Sequence, residues 1–310
     1  MASFRPATPD QAAFLTELLD RGLLIDSGVH GVYGRSATFE DIRLRFDDLV
    51  SRVVRDEGAE TLRFPPVLPR HQLESSGYLR SFPHLAGTVF AFEGNEQQAR
   101  EQHEAASRHE DWSAYQSQTD VVLVPAICYP VYPAIAARGP LAPGGLTVDP
   151  GSSYVFRREP SGDPARLQIF HMRELVRLGE PDAVASWYRL WRDRALDVLT
   201  SVGLDAAFEV ASDPFFGRSG RMLAAGQRQQ ALKFEILVPI AGPEPTAVAS
   251  SNYHQDHFAS TYGIELADGG AAHTACLGFG QERIVLALLR AHGLDIDAWP
   301  DEVRRELWGQ

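Results

Sequence analysis

Residues 154–176 constrain the fold more than any other stretch of this chain. Tyr154-Val155-Phe156-Arg157-Arg158-Glu159 and Arg166 to Val176 are two strand-like runs. Between them lies Pro160-Ser161-Gly162-Asp163-Pro164, a turn composition that returns the second run along the first. A hairpin commits its strands to antiparallel pairing, because parallel neighbours need a crossover of a dozen or more residues. Val121 to Ile127 and Ala231 to Pro239 read as further strands, and Glu60 to Phe64 as a short one running into Pro65-Pro66. Strands joined by hairpins and long excursions, not by regular helical crossovers, predict an α+β fold with an antiparallel sheet flanked by helices.

The helical pattern fills the remainder. Pro9 to Leu24 reads as one amphipathic helix. Thr38 to Arg55 reads as a second, with Thr38 as its cap, Asp41 three residues on, and a stripe of Ile42, Phe46, Leu49, Val50 and Val53. Ala183 to Val202 presents Val184, Trp187, Tyr188, Trp191, Ala195, Val198 and Leu199 on one side. Gln281 to His292 closes the pattern, ended by Gly293. No repeat, low-complexity tract or long linker divides the chain, which predicts one domain over 1–310.

Charge and cysteine usage exclude several classes. A net charge of −12 argues against a large nucleic-acid footprint, which Lys and Arg would have to carry, and Lys233 is the only lysine. Two cysteines in 310 residues are no disulfide framework, so a reducing cytoplasm is the expected setting. No apolar run approaches the ~20 residues of a membrane span, and MASFRPATPD has no apolar signal core.

Chemistry enters through side-chain parity. Residues two apart on a strand share a face, which pairs Arg157 with Glu159 and aligns Gln168, Phe170, Met172 and Glu174. A guanidinium for phosphate, a ring for the adenine face and a carboxylate for its amine would suit a nucleotide, whereas a solvated hairpin would merely pair Arg157 and Glu159 with neighbours. Gly278-Phe279-Gly280-Gln281-Glu282-Arg283 opens the last apolar helix. Its glycines permit close backbone approach to an anion, with Arg283 in reach of a triphosphate or of adenine, or else they serve tight helix-to-sheet packing. Neither a dinucleotide-binding glycine pattern nor a P-loop occurs. Cys128 and Cys276 are either metal ligands beside this segment or two buried apolar thiols. His254-Gln255-Asp256-His257 lacks the acidic partner and helical setting of a zincin and reads as a polar loop near the site. His171, on the opposite parity to Glu174, reads as a packing residue.

The order of these segments resembles the class II aminoacyl-tRNA synthetases. Glu60 to Pro66 resembles their motif 1, a helix, strand and proline at a dimer interface. Phe156 to Glu159 with Arg166 to Glu174 resembles motif 2, and Gly278 to Arg283 with its helix resembles motif 3. Within that class, Cys128, Glu174 and Cys276 fall where the zinc-containing archaeal-type seryl-tRNA synthetases carry a Cys-Glu-Cys site. The chain departs from them at its start, where nothing before residue 38 is long enough for a tRNA-binding domain. A shortened, zinc-retaining core looks like the bacterial amino acid:[carrier protein] ligases.

That resemblance implies one zinc per subunit, Mg-ATP as co-substrate and a homodimer with a helical insertion over about 180–230. It also implies an activity. A small amino acid, glycine or alanine, would be activated to the adenylate and passed to the phosphopantetheine thiol of an acyl carrier protein, with no tRNA and no membrane. Arg157 and Arg283 would be catalytic. Glu159, Phe170 and Glu235 would join them at ATP, Lys233 and Asn252 would contact substrate, and Cys128, Glu174 and Cys276 would leave one tetrahedral position for the substrate amine. The Arg189 to Arg194 face and Arg218, Arg221 and Arg228 are candidates for docking an acidic carrier. An atypical seryl-tRNA synthetase variant and a non-catalytic regulatory class II paralogue are the alternatives.

Overall fold

The computed structural model describes residues 4–309, and the side chains of Arg218 and Ser219 lie outside that description. Helix α1 (Pro9–Asp20) starts with a reciprocal cap between Thr8 and Gln11. It stops short of Leu24 because Gly22 takes φ +65° and turns the chain into a small hairpin, β1 (Leu24–Val29) and β2 (Val32–Arg35). In α2 (Ala37–Val54) the cap is Ser36, not Thr38: Ser36 Oγ accepts from Phe39 N at 3.2 Å. Ile42, Phe46, Leu49 and Val50 are buried as the stripe predicts.

The strand expected over 60–64 is reduced to β3 (Glu60–Thr61), and β4 (Val67–Pro69) resumes beyond Pro65-Pro66, whose missing N–H groups cannot extend a ladder. Short helices α3 (Arg70–Ser75) and α4 (Tyr78–Ser81) precede β5 (Thr88–Phe92), α5 (Glu96–Ser107), β6 (Gln116–Leu123) and α6 (Val131–Ala136). The predicted strand Val121 to Ile127 therefore belongs to β6 only as far as Leu123. Pro125 ends it, and Val124 to Ile127 continue as a buried loop.

The hairpin forms from β7 (Leu146–Phe156) and β8 (Ile169–Gly179), which pair antiparallel with Val155 opposite Phe170. Helix α7 (Pro181–Ser201), β9 (Ala207–Val210), α8 (Gly217–Gln229), β10 (Lys233–Val238) and β11 (Thr246–Gln255) follow. Then come α9 (His257–Tyr262), β12 (His273–Gly280), α10 (Gln281–His292) and α11 (Asp301–Trp308). Among the described residues, seven strands form one sheet in the order β3-β7-β8-β12-β11-β10-β9, antiparallel throughout except for β3 beside β7. A separate sheet, β4-β6-β5, lies apart.

Strict alternation gives the large sheet two distinct faces. Leu175, Ala275, Leu277, Phe279, Phe234 and Ile236 pack into a core with Trp187 and Trp191 of α7, Ile284 and Leu288 of α10, and Phe39 and Phe46 of α2. Arg173 lies on that side as well, fully buried, its guanidinium paired with Asp149 and with Asp47 3.3 Å away, which ties β8 to α2. The opposite face carries Phe170, Met172, Glu174, Lys233, Glu235, Cys276 and Gly278, and a cavity opens above it.

Candidate active site

The cavity has a volume of about 560 Å³ and extends from the α3–α4 turn across the sheet to α8 and the start of α10. Arg157, Phe170, Glu174, Lys233, Glu235, Asn252, Cys128, Cys276 and Arg283 all line it. Glu159 stands beside them. Strand β7 ends at Phe156, and Glu159 N donates to Arg157 O at 2.7 Å, so the side chains stop alternating; the Glu159 carboxylate lies 3.9 Å from Arg166 and near enough to Arg283 and Tyr78 of the lining to act on their charge. Gln168 likewise precedes β8 and is held elsewhere, bonded to Arg158 and to the His30 carbonyl. His171 points away from the cavity as expected, stacked on Tyr154 and bonded to Glu282 at 2.8 Å.

At one end of the cavity Arg157, Phe170 and Arg283 converge. The Arg157 guanidinium lies 5.8 Å from the Phe170 ring centre, and its Nε donates to Pro125 O. Arg283 is fixed by bonds from Nε to Ala165 O (2.7 Å) and from Nη1 to Ala247 O (2.8 Å). Burial and the nearby charges of Arg166 and Arg157 bring Arg283 down to about 10, so it stays cationic at neutral pH. Two guanidinium groups and a ring on one cavity lining can form a seat for an aromatic base carrying anionic groups.

A second charge cluster also lines the cavity. Lys233 Nζ bonds Asp213 Oδ1 at 2.7 Å and Glu235 Oε1 at 2.9 Å, and Gln227 of α8 donates to Asp213 Oδ2 at 2.8 Å. Burial works to raise the Asp213 carboxyl, but Lys233 outweighs it and holds that carboxyl below its usual value. Asp213 sits in the loop after β9, where sequence offers no periodic signal to place it. Of the arginines expected on a docking face, Arg194 is paired with Glu57 and Arg192 lies over Phe208 and Phe234, while the Arg218 side chain is outside the described residues.

Deepest in the cavity Cys128, Glu174 and Cys276 meet, one donor atom from each lying within 4.8 Å of the others. All three are buried, and Glu174 Oε2 has no hydrogen-bond partner. Gly278 faces Glu174 across β12 and β8, and a Cβ there would lie 3.3 Å from Glu174 Oε1, so any larger residue would press the carboxylate aside by a few tenths of an ångström. Burial and the Cys276 charge push Glu174 up to about 8. The bond to Cys276, together with burial, pushes the Cys128 thiol well up, while the same bond holds Cys276 well below the usual thiol range. Three acidic donors crowded at one buried point, with an orphaned oxygen, fit a divalent cation. The soft S2O donor set matches zinc rather than magnesium or calcium. His254, expected only near the site, has Nε2 3.6 Å from Cys276 Sγ.

The mixed sheet, its hairpin and its glycine-opened helix define a class II aminoacyl-tRNA synthetase fold. M. kandleri SerRS, solved with A. aeolicus tRNASec, superimposes with a TM-score of 0.79 at 22% identity over 98% of this chain and 60% of that one. Cryptosporidium parvum prolyl-tRNA synthetase gives 0.66 at 13% identity over 92% of this chain and 54% of that one. No protein-family model matches. Amino acid–[acyl-carrier-protein] ligase 1 of Bradyrhizobium diazoefficiens is 47% identical over 306 residues, covering 96% of this chain and 92% of the relative. Ligase 2 of the same organism is 45% identical over 302 residues, covering 96% and 89%. The type-2 serine–tRNA ligase of Methanopyrus kandleri is 25% identical, with 86% of this chain matching 54% of that protein. The chain belongs to the amino acid–[acyl-carrier-protein] ligase family.

Proposed function

We propose that this ligase activates a small amino acid, glycine or alanine, as its adenylate and passes it to the phosphopantetheine thiol of an acyl carrier protein. The observation that carries this reading is the meeting, in one cavity, of the Arg157–Phe170–Arg283 seat with the Cys128–Glu174–Cys276 cluster. Phe170 and Arg283 sandwich adenine, and Arg157 holds the α-phosphate as the amino acid carboxylate attacks it and pyrophosphate departs. The thiol of the carrier then attacks the carbonyl carbon, and AMP leaves. No protein nucleophile is needed, so the side chains act by positioning reactants and by neutralising phosphate charge, with magnesium accompanying ATP.

Cys128, Glu174 and Cys276 would hold zinc, which when bound supplies a Lewis-acid position for the amino acid's α-amine and so selects unblocked amino acids over hydroxy acids. Lys233 and Asn252 line the space beside it and contact the amino acid, and Glu159 and Glu235 face ATP. The active particle is a homodimer in this reading, on the resemblance of Glu60 to Pro66 to the interface motif of the class. The carrier reading is favoured over seryl transfer to tRNA because the 47% and 45% identical relatives are carrier ligases.

Pyrophosphate exchange into ATP, run across a panel of amino acids with zinc-loaded and chelator-stripped protein, tests the first step. Exchange restricted to small amino acids and abolished by stripping is expected. Exchange with serine alone, accompanied by charging of tRNA, would overturn the assignment. Absence of exchange with every amino acid would leave a binding protein instead.

A further inference from the structure

The backbone departs from regularity at one point on the cavity wall. Strand β11 pairs with β12 in register from Ala249 opposite Phe279 to Tyr253 opposite Ala275, and then Gln255 stands opposite Thr274, so His254 is an inserted residue. Gln255, the next residue, takes φ +54°, a conformation that side chains rarely adopt and that costs of order 1 kcal/mol. A bulge re-aims the side chain it carries. Here the ring of His254 is directed at the buried sulfur of Cys276, with Nε2 3.6 Å from Sγ. Its other nitrogen, Nδ1, lies 3.1 Å from Thr274 Oγ1 and 3.5 Å from Tyr132 OH. Asn252 Nδ2 reaches the same sulfur, also at 3.6 Å. Cys276 thus faces the Asn252 amide N–H and a ring nitrogen of His254, both within hydrogen-bond reach.

We propose that His254 is a positioning residue for the metal centre. Thr274 Oγ1, the nearer hydroxyl, donates to the single lone pair of Nδ1, which places the ring proton on Nε2, and that N–H donates to Cys276 Sγ. The bond orients the Cys276 sulfur towards Cys128 and Glu174 and keeps the imidazole from acting as a ligand. It rests on the reading of Cys128, Glu174 and Cys276 as a zinc site. Hydrogen bonds to ligating atoms orient them and tune the metal, and their loss weakens binding by roughly ten- to a hundredfold.

Zinc affinity by chelator competition and the sulfur-to-cobalt charge-transfer band of the cobalt-loaded protein test this on wild type, His254→Ala and His254→Gln. Circular dichroism establishes that each variant is folded. His254→Ala is expected to bind zinc roughly ten- to a hundredfold more weakly and to shift the band. Glutamine carries an N–H at a similar reach, so His254→Gln is expected to restore both. Unchanged affinity and an unchanged band in His254→Ala would overturn the inference. Failure of His254→Gln to recover would do so too, since it would make the imidazole itself a ligand. A wild-type chain that takes up neither ion removes the metal centre and this inference with it, whereas normal loading with an indifferent His254 sinks the inference alone.

Discussion

Lys233→Met isolates the electrostatics of the cavity wall. The lysine side chain is 8% exposed, while those of its partners Asp213 and Glu235 are 30% and 29% exposed. Removing Nζ leaves two carboxylates no farther apart than the sum of its 2.7 and 2.9 Å bonds. At that separation their repulsion is roughly 3 kcal/mol for an effective dielectric of about 20. The partial exposure of both acids reduces the penalty to about 1–3 kcal/mol. For a chain of this length that corresponds to a fall in Tm of about 2–5 °C.

The sign with pH follows from the wild-type Asp213 carboxyl lying below its usual value because of Lys233. A depressed carboxyl contributes stability above the unfolded carboxylate range and loses it as pH falls through the folded value. In the variant the two acids lie high instead, so protonation relieves their repulsion on acidification. Thermal unfolding of both proteins near neutral pH and at mildly acidic pH should therefore show a gap that narrows with acid. Equal Tm values at neutrality, or a gap that widens with acid, would refute the electrostatic account of this cluster.

Other outcomes test separate parts of the site. Phe170→Ala should raise KM for ATP roughly tenfold in pyrophosphate exchange while leaving KM for the amino acid near wild type, because base stacking on a ring is worth about 1–3 kcal/mol. Cys276→Ser should purify with only trace zinc by elemental analysis and lose exchange, and added zinc should not restore it.

Much of this arrangement was legible in the residues. The hairpin turn and the strand alternation around Phe170, Met172 and Glu174 put the right side chains over the cavity, and α10 has the expected bounds because glycines stand on both sides of it. The resemblance to the zinc-containing seryl-tRNA synthetases points to Cys128, Glu174 and Cys276, and the fold brings their donor atoms together. Parity failed where regular pairing ends. Glu159 lies past the last paired residue of β7, where a tight turn and Arg166, not strand alternation, set its direction. His254 reads from sequence as part of a polar loop because an inserted residue in β11 has no periodic signature. Asp213 lies in a loop and is defined only by Lys233 and Gln227, long-range partners that no local pattern specifies. Ser36 displaced Thr38 as the helix cap because α2 begins a turn earlier than its apolar stripe.

Transfer itself is the most direct test of the whole account. Zinc-loaded protein would be incubated with ATP, radiolabelled glycine or alanine, and a carrier protein bearing or lacking phosphopantetheine. Label that follows only the pantetheinylated carrier, and that hydroxylamine releases as expected for a thioester, is the predicted result. Label on tRNA, or on a carrier without the prosthetic arm, would contradict it.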